Sequence, residues 1–389
     1  MPTMPHTMPS HELNRYRFPW RNHNRLQLHV DGHAFFPAMF DAIGQARHCI
    51  VLEMYLVESG SVLTQFIDRL LEAAERGVQI FLLFDDFGAH GINKGDRQRL
   101  IHCAIHLKFY NPLHYGKWRR SLFRDHRKLL LVDKRVAFIG GAGISDHFIG
   151  NDEWHDLMVE LEGECVHDWL TLFLDSWPGE LEQIDCLNEQ PHSLPKNEQQ
   201  QLGRVTISQL SNHQEIQKSL VNRLKNAEHW AWITTAYFVP SWKLRRALKQ
   251  AARRGADVRL ILPGPRTDHP GVRHAGRRFY YSMLRHGVRI FEYQPRFTHT
   301  KAYLCDHWCS IGSSNLDRWN TIWNLEGNQE IDDQGFALVL KAQLEHDMGQ
   351  CDEISLASWQ ARPWHRRLLE WFWGRIDVWL AQLSARWHR

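Results

Sequence analysis

The chain carries one short pattern twice: a histidine, a lysine two residues later, and an aspartate five residues after the lysine. The two copies lie 173 residues apart, one in each half of the 389-residue chain. They comprise His126, Lys128 and Asp133 in the first half, and His299, Lys301 and Asp306 in the second. A single copy is common on solvated strand faces, but two copies in matching surroundings indicate an internal repeat. The chain is therefore expected to fold as two related units that each contribute one copy.

The spacing places the histidine and the lysine of each copy on the same face of a β-strand, because residues i and i+2 point to one side. Two imidazoles and two ammonium groups in one cleft supply a nucleophile, a general acid and two positive charges. These groups suit substitution at a phosphodiester. One imidazole attacks phosphorus, the other protonates the leaving oxygen, and the ammonium groups hold the non-bridging oxygens. Such a reaction needs no metal ion, and we expect no cofactor.

The segments around the two copies also match. Helical periodicity extends over 61–76 in the first half and over 242–254 in the second, and an apolar strand pattern follows each. Gly77 and Gly255 stand at the two junctions, where a helix C-terminus favours glycine. Alternating helices and apolar strands predict an α/β sandwich in each half. The repeat predicts a pseudo-twofold axis between the sandwiches, with the active site on that axis.

The residues around both copies resemble the phospholipase D superfamily and, more specifically, the bacterial cardiolipin synthases. The resemblance spans roughly residues 22 to 350. It is carried by the stretches 124–141, 236–240, 251–263 and 286–293 in addition to the two motifs. It implies two pseudo-twofold-related α/β sandwich repeats of the phospholipase D type, with a catalytic set made of all six motif residues.

The resemblance also implies a reaction. A phosphatidyl group would pass from a phospholipid, with phosphatidylglycerol the expected donor, through a phosphohistidine to the head-group hydroxyl of a second phospholipid. His126 is taken as the nucleophile and His299 as the acid, but the pseudo-symmetry leaves this order open. Asp133 and Asp306 end their strands before tight turns. We interpret them as acceptors for nearby backbone or basic groups rather than as reacting groups.

A catalytic imidazole needs an acceptor on its second nitrogen to fix its tautomer and ring angle. In the family this acceptor follows each motif at some distance, and the matching positions here are Asp156 and Glu326. The second glycine turn carries Ser313 and Asn315, which the resemblance assigns to substrate binding. The first turn departs from the family pattern, because Gly143 stands where an asparagine is usual. One amide that would contact the phosphate is therefore missing.

Residues 266–289 contain six arginines and three histidines against a single acidic residue. Arg273 and Arg277 are candidates for binding anionic head groups, because a guanidinium matches phosphate in a bidentate manner. The alternative is a solvated basic helix. The whole chain has a formal net charge of only +3, so we expect no nucleic-acid partner.

The seven cysteines show no paired C-x-x-C pattern, which fits a reducing compartment. No window approaches the roughly 20 apolar residues of a membrane-spanning helix, and residues 1–10 do not resemble a signal peptide. We therefore expect a peripheral enzyme at the cytoplasmic face of the inner membrane.

The C-terminal segment predicts an amphipathic helix. Its apolar stripe comprises Trp364, Leu368, Phe372, Ile376, Trp379, Leu383 and Trp387, and arginines line other faces. This composition is typical of a helix that lies in a membrane interface. The alternative is a helix that packs on the domain or on a dimer partner. The predicted organisation is a tail (1–20), a first domain (21–190), a linker (191–203), a second domain (204–355) and this membrane-surface helix (356–389).

Three rival functions remain open at this point. A hydrolytic phospholipase D would use water as the acceptor, and sequence does not show whether water is excluded. A nuclease of the same superfamily is disfavoured by the near-neutral charge and the tryptophan-rich tail. A catalytically inactive lipid-binding module is disfavoured because both motifs retain histidine and lysine.

Overall fold

The structure is a computed structural model. It describes residues 16–101, 105–113, 120–179, 200–209, 213–317, 323–364, 368, 370 and 372–376. The predicted N-terminal tail (1–20) and linker (191–203) lie largely outside the described residues. The last residues of the linker range already belong to a strand, because that strand begins at Gln201.

The first repeat is a mixed sheet with helices packed against it. Its strands are β1 (Arg21–Val30), β2 (Cys49–Met54), β3 (Gln79–Asp85), β4 (Ile105–Tyr110), β5 (Arg124–Asp125), β6 (Lys128–Val132), β7 (Val136–Gly140) and β8 (Leu157–Gly163). Its helices are α1 (Gly32–Gln45), α2 (Ser61–Glu75), α3 (Lys94–Arg99) and α4 (Cys165–Ser176).

The second repeat has the same plan. Its strands are β9 (Gln201–Gln209), β10 (His213–Gln214), β11 (Trp230–Thr234), β12 (Phe238–Val239), β13 (Asp257–Pro263), β14 (Arg289–Tyr293), β15 (Ala302–Cys305), β16 (Trp308–Gly312), β17 (Leu316–Asp317), β18 (Asn324–Asp332) and β19 (Cys351–Ile354). Its helices are α5 (Glu215–Asn226), α6 (Trp242–Arg253), α7 (Pro270–Arg277), α8 (Tyr280–Leu284), α9 (Gln334–Met348) and α10 (Leu356–Ala361).

Strand order shows the internal repeat directly. The first sheet runs β4-β3-β2-β6-β7-β8-β1, and the second runs β14-β13-β11-β15-β16-β18-β9. In each sheet the first three strands are parallel and the rest antiparallel. Strands β1 and β9 pair antiparallel and join the two sheets. Gly77 and Gly255 have φ angles of 88° and 101°, so both predicted helix ends use the left-handed glycine conformation.

The two sheets face each other across a shared core. Leu129 of the first sheet and Leu304 of the second belong to one buried cluster, which helices α4 and α9 complete. The next residue along β6, Leu130, points to the other side and packs under the outer helices α1 and α2. Strands buried on both faces read as continuous apolar runs, and Leu129–Val132 is such a run. The two sheets therefore share a close-packed apolar core, which limits movement of one repeat relative to the other.

No helix within the described part of the chain is long and apolar enough to cross a membrane.

Candidate active site

The two motif histidines lie where the repeats meet. The backbone N–H of His126 donates to the carbonyl of Leu325 in the second repeat, at 2.9 Å. The N–H of His299 donates to the carbonyl of His155 in the first repeat, at 2.8 Å. These two contacts are related by the pseudo-twofold axis. The backbone of each motif histidine is thus anchored to the backbone of the opposite repeat.

Each imidazole also takes its carboxylate from the opposite repeat. Nδ1 of His126 lies 3.0 Å from Oε1 and 3.1 Å from Oε2 of Glu326. Nδ1 of His299 lies 2.8 Å from Oδ2 of Asp156. Both carboxylates are buried. Asp156 and Glu326 are the positions expected from sequence, but their exchange between the repeats was not predicted. Each carboxylate holds Nδ1 of its ring, so Nε2 is the nitrogen that the carboxylates leave unheld.

The two motif lysines are buried against these rings. Nζ of Lys128 donates to the carbonyl of His126 at 2.5 Å and lies 5.1 Å from the ring centroid of Tyr55. Nζ of Lys301 lies 2.9 Å from both ring nitrogens of His299. The structure therefore brings two imidazoles and two amines into one site.

Burial and the neighbouring amines keep both imidazoles neutral. Burial, followed by the charge of Lys301, lowers the pKa of His299 to about 4, against the opposing effect of Asp156. Burial, followed by Lys128 and Lys301, lowers the pKa of His126 well below its ordinary value. A neutral imidazole has a free lone pair, so either ring is ready to act as the nucleophile.

The two lysines and Glu326 have pKa values close to neutral pH. Burial lowers the pKa of Lys128 to about 7 and the pKa of Lys301 to about 8. It raises the pKa of Glu326 to about 8. A phosphodiester anion bound here would favour the charged ammonium groups, because an opposite charge nearby raises the pKa of a base. The site is thus arranged to hold its full positive charge when an anionic substrate arrives.

The second glycine turn contributes Ser313, whose hydroxyl is hydrogen-bonded within the protein, and Asn315, whose side-chain amide has no hydrogen-bond partner among the described residues. Oγ of Ser313 donates to the carboxylate of Glu326 and accepts from the N–H of Gly327 at 3.1 Å. Ser313, predicted to bind substrate, therefore helps to orient Glu326 instead. Asn315 is buried, and neither polar atom of its side chain has a hydrogen-bond partner among the described residues. Leaving a buried amide unpaired costs about 1–3 kcal/mol, so Asn315 remains the candidate for a phosphate oxygen.

Glycine at position 143 has a steric reason. A Cβ atom on Gly143 would lie 2.7 Å from both Cβ and the carbonyl oxygen of Leu56. That carbonyl accepts a hydrogen bond from the N–H of Ile144 at 2.9 Å, so it has little freedom to move. The usual asparagine has no room at this position. The two halves of the site therefore differ, and the second alone has a turn amide.

The two motif aspartates brace turns and do not touch the motif histidines. The carboxylate of Asp133 accepts from the N–H groups of residues 47–49 at 2.8–2.9 Å. The carboxylate of Asp306 accepts from those of residues 228–230 at 3.0–3.1 Å. Their φ angles of 52° and 51° are left-handed, which aspartate tolerates better than most residues. Each aspartate thus ties the far end of a motif strand to the start of its neighbour.

The structure corrects the assignment of Arg273 and Arg277 to head-group binding. Both guanidinium groups pair with the buried carboxylate of Glu292, at 2.7 and 2.6 Å. Nε of Arg277 also lies 3.4 Å from Glu370, and the side chain is buried. The charges of both guanidinium groups are therefore balanced by carboxylates of the protein itself, which disfavours a role in holding a phosphate. These two arginines hold helix α7 and the C-terminal segment on the domain.

Two tyrosines near the site escaped the sequence analysis. The ring of Tyr55 meets the ring of His126 edge to face, with centroids 4.7 Å apart. Burial raises the pKa of Tyr55 to about 12, so the phenol stays neutral. The hydroxyl of Tyr237 donates to Asp268. The internal repeat could have revealed both tyrosines, because Tyr55-Leu-Val and Tyr237-Phe-Val occupy matching places after strands β2 and β11.

Among the described residues, one group has ligand atoms close enough for a metal ion: Asp31, His33 and Glu153 lie within 4.8 Å of one another. The guanidinium of Arg296 already donates to both of these carboxylates. A fixed positive charge therefore occupies the position that a cation would take.

A chelator is expected to leave the reaction rate unchanged, because the histidines and lysines supply the nucleophile, acid and positive charge themselves. The measurement is the initial rate with and without EDTA. A loss of rate that a divalent ion restores would contradict this expectation.

Comparison with known proteins agrees with this geometry. A family model described as "Cardiolipin synthase, PLD-like domain" matches residues 39–177 and 220–348, one span in each repeat. The chain is 32% identical over 355 residues to cardiolipin synthase B of Escherichia coli K12, which covers 89% of this chain and 86% of that relative. It is 32% identical over 347 residues to cardiolipin synthase A of Pseudomonas aeruginosa LESB58, with 87% and 70% covered.

A solved structure shows the same fold. The crystal structure of phosphatidylserine synthase from Haemophilus influenzae Rd KW20 matches with a TM-score of 0.72, covering 94% of this chain and 97% of that chain. At 13% identity this likeness concerns the fold alone. The expected pair of phospholipase D-type repeats is confirmed, and so is the resemblance drawn from the motifs.

Proposed function

The chain belongs to the cardiolipin synthase family of phospholipase D-like proteins, and from this membership we propose that it is a phosphatidyltransferase that makes cardiolipin from phosphatidylglycerol. The observation that carries the proposal is the crossed arrangement of His126 with Glu326 and His299 with Asp156, flanked by two buried lysines. This arrangement holds two imidazoles at fixed angles beside positive charge, which two-step transfer at a phosphodiester requires.

The chemistry uses the Nε2 atoms, which are the ring nitrogens that the two carboxylates do not hold. In the first step, Nε2 of one histidine attacks phosphorus and the bond to the departing glycerol oxygen breaks. The second histidine, whose pKa rises when the phosphodiester anion binds beside it, enters this step protonated and gives that proton to the oxygen. In the second step, the now neutral second imidazole removes the proton from the acceptor hydroxyl, whose oxygen attacks phosphorus and expels the first histidine. We keep His126 as the proposed nucleophile. The ammonium groups and Asn315 bind the non-bridging oxygens in both steps.

The test of function is product analysis after incubating the purified protein with phosphatidylglycerol vesicles. Cardiolipin together with glycerol supports the transferase. Phosphatidic acid as the main product indicates that water is the acceptor and supports a hydrolytic phospholipase D instead. DNA cleavage with no change in the lipids would contradict both. The His299→Ala variant serves as the blank.

We propose further that the protein binds the membrane surface through its C-terminal segment. Glu370 is buried and pairs with Arg362 at 2.7 Å, and the carbonyl of Gly374 accepts from Arg278. Trp373 packs on the core of the second repeat, beside Gly271. The segment is thus held by residues that lie off the apolar stripe predicted from sequence.

Three of the four described residues of the predicted stripe are largely exposed, and the fourth, Ile376, is half-buried. Trp364, Leu368 and Phe372 are 72%, 53% and 52% exposed, and Trp379, Leu383 and Trp387 lie outside the described residues. Large apolar side chains in a row on a surface mark an interaction site, and tryptophans beside arginines suit the head-group level of an anionic bilayer. The segment therefore combines features of the two predicted alternatives. It packs on the domain, and it still exposes apolar side chains that could contact a membrane.

Replacing the three exposed residues together (W364S/L368S/F372S) is expected to release the protein from phosphatidylglycerol vesicles without lowering its melting temperature, since none of them is buried. The measurement is vesicle sedimentation, and binding of the unaltered protein should weaken with salt because arginine charges are screened. Deleting residues 359–389 is a poorer test, because it removes the buried Trp359 and Glu370.

The matched control is L338S/V339S. Leu338 and Val339 are 53% and 54% exposed on helix α9, away from the C-terminal segment, and this variant should sediment normally. Full sedimentation of the triple variant, or equal loss in the control, would count against the proposal.

A further inference from the structure

His155 is a buried histidine with a carboxylate on each side. Its Nδ1 lies 2.8 Å from Oδ1 of Asp31, which follows strand β1 in the first repeat. Its Nε2 lies 3.0 Å from Oδ2 of Asp347, near the end of helix α9 in the second repeat. Burial alone would lower the pKa of His155, but the hydrogen bonds to Asp31 and Asp347 raise it to about 10. An imidazolium therefore bridges the two repeats.

The other groups around this ring hold it in place. The ring of Tyr293 on strand β14 stacks on it, with centroids 5.3 Å apart. Nε2 of Gln343 donates to the second oxygen of Asp347 at 2.8 Å. The guanidinium of Arg296 donates to the second oxygen of Asp31. Each carboxylate thus has a donor for both oxygens, and the histidine has little freedom to turn.

This bridge is connected to the catalytic site through the backbone. The residue after His155 is Asp156, which holds the ring of His299. The N–H of Asp31 donates to the carbonyl of Asp156 at 2.9 Å, and the N–H of Asp156 donates to Oδ1 of Asp31 at 3.2 Å. Asp31 has a φ of 64°, a strained value that persists only where the surroundings fix it. The aspartate that pairs with His155 therefore also fixes the position of Asp156.

The described residues around the other half of the site form no such bridge. The residue before Glu326 is Leu325, which cannot form ion pairs. Within the described residues, the His299 half alone has a histidine next to its orienting acid that pairs with a carboxylate from each repeat.

We propose that His155 is a positioning residue for the transfer reaction. By joining Asp31 to Asp347 it fixes Asp156, and through Asp156 it fixes the ring of His299 at the junction of the repeats. The effect on rate rests on the proposed function, whereas the effect on the ring of His299 does not.

The test uses the full chain with His155→Gln, and Asp347→Ala as a second variant that cuts only the tie to the second repeat. We expect His155→Gln to lower kcat for phosphatidylglycerol by about 10- to 100-fold with KM unchanged, as losing the support of an orienting group does. In protein labelled with ¹⁵N-histidine, the Nδ1–H signal of His299 should shift or broaden. Asp347→Ala should change both readouts in the same direction by less.

Arg204→Gln is the control, because it breaks another buried ion pair, with Glu330 at 2.6 Å. It should lower the melting temperature but alter neither kcat nor the His299 signal. If His155→Gln and Asp347→Ala behave like this control, the proposal is overturned and the bridge only stabilises the fold. If His155→Gln does not fold, Asp347→Ala decides. If the unaltered protein makes no cardiolipin, the proposed function fails, and the His299 signal alone decides the role of His155.

Discussion

Replacing either His126 or His299 by alanine is expected to reduce cardiolipin formation by at least about a thousandfold, because each step needs one ring as nucleophile and the other as acid or base. The two losses should be similar in size, since the rings exchange a proton and a phosphoryl group within one cycle. A double variant should be no slower than the singles, because residues that act as a unit are not additive. The measurement is the initial rate of cardiolipin and glycerol release.

His307→Ala is the matched control, since the side chain is 62% exposed in the turn beside Asp306 and contacts neither ring. It should keep full activity. More than a tenth of the normal rate in either single variant would contradict the shared site. Trapping the phosphohistidine without acid, followed by peptide mapping, identifies the nucleophile. A label on the peptide that contains His299 would show that His299, and not His126, is the nucleophile.

Replacing Lys128 or Lys301 by methionine, which keeps the length of the side chain, is expected to lower kcat by about a hundredfold or more, because a charge that stabilises the transition state is lost. The unaltered enzyme should also slow as the pH rises through about 7 to 8, where the pKa values of the two lysines lie. In that range the amines lose the proton that makes them positive. Bound phosphate shifts this decline to higher pH.

The same substitution should make the protein more stable. The pKa of Lys128 in the folded protein, about 7, lies below its ordinary value of 10.5, so folding disfavours the charged form. This penalty is fully present below pH 7 and is relieved as the pH rises toward 10.5. Lys128→Met removes the penalty, so its melting temperature at pH 6 should exceed that of the unaltered protein.

Lys341→Met is the control, because Lys341 forms a helix-surface pair with Glu345 at 2.6 Å and lies outside the site. It should change neither rate nor pH dependence. A Lys128→Met enzyme that keeps a third of its rate would show that this amine does not hold the phosphate.

Local geometry explains why much of the site was predictable. The i, i+2 spacing of His126 and Lys128 is a property of a single strand, and the duplication gave the second pair at once. Asp156 and Glu326 followed from the family resemblance. Their exchange between repeats did not, because it depends on how strand β5 pairs with strand β18, and sequence spacing within one repeat does not encode that pairing.

Partners distant in sequence explain the incorrect assignments. The basic segment 266–289 suggested head-group binding, but Glu292 lies on the next strand and neutralises Arg273 and Arg277 from 19 and 15 residues away. The same segment forms two helices, α7 and α8, separated at 278–279. Burial of an acid among arginines depends on tertiary packing, which local charge counts do not reveal.

The exchange of carboxylates between the repeats has a consequence for the newly made chain. His126 leaves the ribosome 200 residues before Glu326, the acid that orients it, and Leu325, the backbone acceptor that anchors it, comes equally late. N-terminal units tend to fold first during synthesis, so the first repeat completes its sheet while its imidazole still lacks both partners. A chain that ends before Glu326 lacks the acid that orients His126, and neither repeat alone contains a motif histidine together with its carboxylate. The oriented imidazoles thus arise only after both repeats have been made and have come together.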